Sequence, residues 1–438
     1  RSLAPRVAVA TPLPIDAAAL APEDKWVASW DTEAFRKDVD DLGNRLLANQ
    51  GPADVEHLKK MIMWSNVCAA VGLGTMWMTP NPVSVFCISA WIMSRWTMIA
   101  HHTCHGGYNK QDDGTGRFTS IGFAVGSVMT RCRDWFDWML PEAWNVEHNN
   151  LHHYRLGEAG DPDLVERNLE MLRDIRLPRP LKYVVVAVVA SIWKWWYYAP
   201  NTYKQLKIMQ LRKEGTEIPA KEAHDAFTLT SFLNLGESKK YGFGFRDYIG
   251  RVMGPYLALR FFALPAPLLL LPGGRLFYKH ALINLALADA LSNIHSFIII
   301  ATNHCGDDLY KFVNSVRPKS GSFFMRAVTS GANFRTANGI DANGKARAVH
   351  GHTADLNDFM HGWLNYQIEH HAWPQLSMLS YQKSAPEMRA ICEKHGVPYV
   401  QQNVFKRLKK TADVMVGATS MRPFDESWEA PKDAFKWK

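Results

Sequence analysis

The chain has 438 residues, with 50 Lys and Arg against 42 Asp and Glu for a formal net charge of +8, enough for two or three soluble domains or for one membrane domain with large polar portions. Its six Cys include no C-x-x-C pair, which excludes a disulfide framework and a zinc ribbon. The basic balance suits an anionic lipid surface or an acidic redox partner, and nucleic acid is set aside because no DNA- or RNA-binding motif accompanies the charge.

Residues 1–22 begin at Arg1 and are rich in Ala and Pro, as the remnant of a processed organellar transit sequence would be. Positions 24–60 mix acids and bases over scattered apolar residues and read as an amphipathic segment outside the bilayer. Met61 to Met78 is an uncharged apolar run, and Val83 to Ala100 is a second with only Arg95 inside it. Each is near the lower length limit for crossing ~30 Å of hydrocarbon. Thr79-Pro80-Asn81-Pro82 makes the turn between them, so the pair reads as a transmembrane hairpin.

Where the second run ends, a first histidine cluster begins, His101-His102-Thr103-Cys104-His105. A second follows in Asn145-Val146-Glu147-His148-Asn149-Asn150-Leu151-His152-His153. On an α-helix His148 and His152 share one face with His153 beside them, so three imidazoles converge on one cation or on a pair. Residues 106–182 are too polar to span, and Gly157 to Asp163 is a loop by its Gly, Pro and Asp content. Cys104 and Cys305 lie beside histidines but read as small packing residues.

Three further apolar stretches follow, 182–198, 253–271 and 277–302. Clusters that bind the same metals must lie on one side of the membrane, so an even number of crossings separates the second cluster from the third, Gln367-Ile368-Glu369-His370-His371. We take 253–271 and 277–302 as a second hairpin and lay 182–198, with its Trp- and Tyr-rich end, along the interface. The Arg- and Pro-interrupted 253–271 remains exchangeable with it. The second hairpin then returns near Thr302, which puts His304 on the cluster side, whereas His295 lies some 13 Å deeper on a helix. Residues 310–366 are polar, with turn signals at Asn338-Gly339 and Asn343-Gly344. Their His350, His352 and His361 lack a shared spacing and stay outside the ligand set. The predicted fold is an all-α integral membrane protein: four transmembrane helices in two hairpins under a helical cap at the membrane face. Residues 1–60 form an N-terminal extension, 61–400 the membrane domain and 401–438 a polar tail.

Eight histidines, His101, His105, His148, His152, His153, His304, His370 and His371, exceed the three or four that one zinc takes. Two metals are implied, and all-imidazole ligation suits Fe, Cu, Ni or Zn better than Mg or Ca. Paired iron with O2 removes hydrogen from unactivated methylenes, which acid–base chemistry cannot do. A zinc hydrolase is set aside, because the H-E-x-x-H glutamate is missing.

The ordered boxes HxxxH (His101, His105), HxxxHH (His148, His152, His153) and QxxHH (Gln367, His370, His371) resemble those of the membrane fatty acid desaturases. The stretch His361 to Pro374 is similar to the third box of the acyl-lipid, front-end group. The resemblance implies two Fe ions held by the eight histidines on the cytosolic or stromal face, O2 as co-substrate, and Gln367 as a weaker ligand. It also implies an acyl-lipid substrate and a separate electron donor, ferredoxin or free cytochrome b5, since no fused haem domain is recognised. A plastid membrane is favoured over the endoplasmic reticulum. Where the family often has Asp after the first histidine this chain has His102, read as supporting the ligands from behind or as a weak ligand itself, and Glu147, Glu369 and Asp163 read either as orienting imidazoles from behind or as solvated interfacial acids. The three residues between His148 and His152, where front-end members commonly have two, depart from that group. A related di-iron lipid or carotenoid hydroxylase and a non-catalytic membrane subunit are the alternatives.

Overall fold

A computed structural model describes residues 15–234, 236–336, 339–340, 346–347 and 352–436, and it is mostly helical. The transit reading of the first 14 residues, the turn residues Asn338, Asn343 and Gly344, and His350 lie outside the described residues, as does the side chain of His352.

Asp31 starts helix α1 (Thr32–Ala48) by accepting the Glu33 and Ala34 N–H groups at 3.0 Å. Phe35, Val39, Leu42 and Leu46 line its buried face. Gly51 and Pro52 end the loop after it, and α2 (Pro52–Thr75) then runs unbroken across the boundary expected at residue 60. Nothing between Lys59 and Met61 breaks a helix, so the polar first turns and the apolar run share one axis. Helix α3 (Pro82–Cys104) follows Asn81, whose side chain accepts the Ser84 N–H at 2.9 Å. Gly72 sets how closely α2 and α3 approach: a Cβ there would stand 2.6 Å from Ile88 Cγ1 and 2.9 Å from its backbone nitrogen.

Later helices are α4 (Arg179–Trp193), continued through the turn Lys194–Tyr198 into α5 (Ala199–Lys213), then α6 (Phe245–Leu270) and α7 (Gly274–Asn303). The cap adds α8 (Gly321–Thr329), α9 (Gln367–Ala372), α10 (Met378–His395) and α11 (Val404–Met415). Among the described residues three helices, α3, α6 and α7, are long and apolar enough to cross a membrane, where the sequence led us to expect four. Helix α2 falls outside that group because Glu56, Lys59 and Lys60 lie in its first turns, although its outer side chains Met63, Val67 and Val71 are apolar and exposed.

Helix α3 packs between α2 and α7, with Met76, Ile88, Ile92, Ala281, Leu285 and Ala288 in their shared core. Asn284 of α7 ties this core to the α2–α3 turn: its Nδ2 donates to the Met76 carbonyl at 2.9 Å and its Oδ1 accepts the Asn81 N–H at 3.1 Å. The α4–α5 rod lies against α7 but both its ends meet the polar half of the molecule. Tyr183 donates to Asp413 at 2.6 Å near one end, and Tyr203 to Asp247 at 2.5 Å near the other.

Residues 401–436, read from the sequence as a polar tail, fold back onto the cap. Gln401–Gln402 pairs in parallel with Asn333–Phe334, and Arg422–Pro423 with Tyr310–Lys311. Met415, Val416 and Phe424 enter the main core. The fully buried Arg407 caps the end of α7, donating to the Thr302 and Cys305 carbonyls at 3.1 and 2.8 Å and to Asp308 at 2.6 Å.

Where α4, α7 and the turn before residue 140 meet, ionisable groups are buried outright. Lys194 Nζ lies 2.8 Å from Asp137 and 3.2 Å from Ser292 Oγ, with neither charged side chain exposed. Asp289 accepts from Trp138 Nε1 and Tyr256 OH, both at 2.9 Å. Breaking a buried pair strands a charge, whereas replacing both partners does not. Lys194→Met should therefore lose about 3–5 kcal/mol of stability, and Lys194→Met with Asp137→Asn should recover most of it, measured by thermal unfolding of the detergent-solubilised protein. A double variant no more stable than the single would show that the residues do not act as a pair.

Candidate metal centre

The first histidine pair sits on the last turn of α3, where α-helical winding holds: the His105 N–H reaches the His101 carbonyl at 3.1 Å, and both rings face one side. The second cluster is wound differently. Asn145–His152 forms a π-helical turn, in which the His153 N–H reaches back five residues to the His148 carbonyl at 3.1 Å. The added residue per turn brings His148 onto one side with His153, their Nε2 atoms 3.2 Å apart, while His148 still stacks on His152 at 5.1 Å as the spacing led us to expect. The third cluster rides on the short helix α9, and His304 follows the end of α7.

These elements gather the eight histidines into two groups, and His148 and His152, one from each, form a third with Asp163. His101, His105, His148, His153 and His370 each bring a ligand atom within 4.8 Å of the others, and His152, His304 and His371 do the same beside them. In the first group the His101 and His370 Nε2 atoms are 2.8 Å apart, those of His148 and His101 3.1 Å, and those of His153 and His148 3.2 Å. In the second, the Gln367 amide stands 3.1 Å from His304 Nε2 and 2.9 Å from His371 Nε2. Reversed end for end, that amide presents its oxygen to the same point.

The donor set fits metal. A neutral imidazole has one N–H, so several inward Nε2 atoms facing one another cannot all be satisfied by each other. His105 Nε2 and His152 Nε2 are buried with no hydrogen-bond partner. Burial, reinforced by the neighbouring imidazoles, holds His105, His148, His153, His370 and His371 well below the usual imidazole range. They are neutral at ordinary pH, with lone pairs free to ligate. His152 differs: burial opposes its protonation, but the Asp161 carboxylate outweighs burial and its affinity for a proton rises. His152 Nδ1–H donates to Asp161 Oδ1 at 2.8 Å, which leaves Nε2 for the centre. Asp161 is itself fixed by the Gly157 and Asp163 N–H groups at 2.9 and 2.8 Å.

The flanking residues divide. His102 lies outside both groups, donates Nδ1–H to the Met98 carbonyl at 2.7 Å and stacks on His101 at 5.0 Å. Asp163 stands 3.7 and 4.0 Å from the Nδ1 atoms of His152 and His148. Glu147 is fully buried, and burial together with Asp163 and Asp161 pushes its carboxyl well above the usual range. Glu369 departs from the expected role of orienting an imidazole. It accepts instead from Asn333 Nδ2 at 2.8 Å and Tyr399 OH at 2.7 Å, and burial pushes it up to about 7. Asn333 Oδ1 also accepts the Ile368 N–H at 3.0 Å, so Glu369 anchors the helix that carries His370 and His371.

His295 and His361 bond to the Met360 and Asn357 carbonyls, away from the centre. Arg95 pairs with no acid among the described residues and bonds to Asn66 Oδ1 at 2.7 Å. Three neighbours of the centre went unread in the sequence: Asp161, Trp144, stacked on His148 at 4.4 Å, and Tyr381, whose hydroxyl lies 3.4 Å from His370 Nδ1. Only Asp161 carried a signal, as an acid in the loop that follows the second box. A cavity touches both groups, lined by His153 and His371 together with Tyr154, Leu156, Val316, Phe323, Arg326 and Ala327.

Residues 75–403 match the family model for fatty acid desaturases. A fatty acid desaturase 2-like protein of Mus musculus, FADS2B, is 38% identical over 70 residues, 14% of this chain and 14% of its own. Fatty acid desaturase 3 of Bos taurus is 35% identical over 68 residues, 14% of this chain and 15% of its own. The NADPH-dependent stearoyl-CoA 9-desaturase of Mycobacterium tuberculosis is 24% identical over 273 residues, 61% of this chain and 54% of its own. The chain thus matches about half or less of the length of these relatives, and no solved structure matches it. With the family model spanning most of its length and three long apolar helices in its fold, the chain belongs to the fatty acid desaturase family and is a membrane protein.

Proposed function

We propose that the protein is an O2-dependent acyl-lipid desaturase that introduces a double bond into a fatty acyl chain at a di-iron centre. The observation that carries the reading is the division of eight histidines into groups of five and three, with one member of each, His153 and His371, lining one small cavity. One iron would be held by His101, His105, His148, His153 and His370, the other by His152, His304 and His371 with Gln367 as a fourth donor. Bound there, paired iron supplies the O2-derived oxidising power needed to take hydrogen from an unactivated methylene. Across the reaction O2 accepts four electrons, two from the C–H bonds broken and two from a reductant, and leaves as two waters.

The chain's own residues bind and orient. Leu156, Val316, Phe323 and Ala327 offer an acyl chain an apolar wall next to His153 and His371, and which methylene stops there decides the bond oxidised. Asp161 keeps the proton of His152 on Nδ1 and so keeps Nε2 aimed inward. Burial keeps the remaining imidazoles neutral, so no proton competes for their lone pairs.

In this reading four segments cross the bilayer: the apolar part of α2, then α3, α6 and α7. The α4–α5 rod lies at the interface, supported by contacts to the polar half at both its ends and by exposed Leu181, Val184, Val185 and Val188 along one stripe. An even number of crossings then separates the second box from the third. Electrons come from a separate donor, ferredoxin in a plastid membrane or free cytochrome b5 at the endoplasmic reticulum. The formal charge of +8 suits an acidic donor. Because the mycobacterial relative is named for stearoyl-CoA, an acyl-CoA is the alternative carrier.

Expressed in a host supplied with candidate acyl chains, the protein should yield a new double bond, located by mass spectrometry, that is absent with His148→Ala. A hydroxylated product would move the reading to the sibling oxygenases. No product with two irons bound and donor supplied would favour a non-catalytic subunit. Iron analysis of the purified protein should give about two ions per chain, falling toward one in His371→Ala as the smaller group loses a ligand. Asp161→Asn should lower iron affinity or turnover by roughly 10- to 100-fold, and unchanged values would remove Asp161 from the site.

A further inference from the structure

Beyond the chemistry, one surface stands out where α4 and α11 meet. Helix α4 buries Val186, Ala190 and Trp193 and turns Leu181, Val184, Val185 and Val188 outward, one apolar stripe at helical spacing. Just before it Met171 and Ile175 are exposed, and on α11 Phe405 is 76% exposed beside Val404, which packs on the core formed by Met93, Ile299 and Leu364. Helix α11 touches both α4 and α7, and the Tyr183–Asp413 hydrogen bond joins it to α4. A large apolar area of this kind, rimmed by charge, marks an interaction surface.

Its rim carries three uncommitted bases. Neighbouring bases are occupied: Lys409 pairs with Asp413 at 2.6 Å, Arg407 with Asp308 at 2.6 Å, and Arg173 with Glu166 at 3.2 Å. Arg176, Arg179 and Lys406 are exposed and have no ion pair or hydrogen bond among the described residues. The exposed acids on the same edge are Glu170 and Asp174. Bases that flank an outward apolar stripe match the layered chemistry of a lipid surface, with anionic headgroups above the acyl boundary. An acidic soluble protein would find the charge but leave Phe405, Leu181 and Val184 in water.

We infer that Arg176, Arg179 and Lys406 form a docking site for anionic phospholipid headgroups, with Phe405 and the α4 stripe seated at the acyl boundary. The site rests on the membrane placement proposed above and is independent of the metal centre and its reaction. It holds the cap against the bilayer on the α4 side of α7, and its strength falls with ionic strength.

The test uses the full chain in phosphatidylcholine nanodiscs with and without phosphatidylglycerol, reading by mass spectrometry the lipid retained after exchange into detergent. The wild type should retain phosphatidylglycerol preferentially. Arg176→Gln, Arg179→Gln and Lys406→Gln combined should lower that preference on the order of 10- to 100-fold, with the same thermal midpoint in phosphatidylcholine alone. As a control, neutralising Lys37, which lies away from this edge and pairs with Asp41, should change nothing. Equal retention by the triple variant overturns the inference. So does a wild type indifferent to phosphatidylglycerol whose binding to ferredoxin or cytochrome b5 is lost in the triple variant, which would make the surface a protein dock. Failure of the chain to enter nanodiscs at all would instead overturn the membrane placement.

Discussion

Everything in this fold answers to one constraint: imidazoles from four distant places in the chain must meet nitrogen to nitrogen in a buried space. His101 and His370 are 269 residues apart in sequence, yet their Nε2 atoms stand 2.8 Å apart. Neutral rings gain little from such contacts, and protonated rings would repel. The arrangement therefore has to be enforced by the surrounding structure, and a cation at the meeting point would make it favourable.

The enforcement is visible element by element. The end of α3 delivers one pair, a π-helical turn delivers the second cluster, and the cap delivers the rest. Each delivery is anchored from behind: Asp161 grips His152, Glu369 and Asn333 grip the helix of His370 and His371, and Arg407 closes the end of α7 just before His304. The folded-back segment 401–436 belongs to this scaffold, since it supplies Arg407 and the strand that pairs with Asn333–Phe334. Buried charges in the helical part, Lys194 with Asp137 above all, fix how α4 sits on α7 and hence how the second cluster meets its neighbours.

Much of this was legible in the chain. Apolar runs gave α3 and α7 nearly at their observed limits, whereas α6 begins eight residues before the expected run, and histidine spacing together with the topology argument for His304 named all eight histidines that the structure gathers. What was not legible depends on tertiary packing. The π winding of Asn145–His152 leaves no periodicity signal, because residues four and five apart are both histidine, so the partition of His148 with His153 and of His152 with His304 had to come from the fold. Glu369 sits beside two ligands in sequence yet points to Asn333 and Tyr399, and Asp161 sits nine residues from His152 yet touches it. Residues 401–436 looked like a tail because their polar composition conceals the few apolar side chains, Met415, Val416 and Phe424, that dock them.

The two groups are unequal, and the inequality traces to Gln367. In a third box the first position faces the same point as His304 and His371, and an imidazole there would have completed a four-histidine set. An amide at that position is neutral, uses oxygen rather than nitrogen, and is a weaker donor than imidazole toward a borderline-soft metal. The smaller group is thus held less tightly than the five-histidine group and has its weakest donor beside His371, which lines the cavity. His153 of the larger group lines the same cavity, so both groups are reached from it, and Leu156, Phe323 and Ala327 close its apolar side.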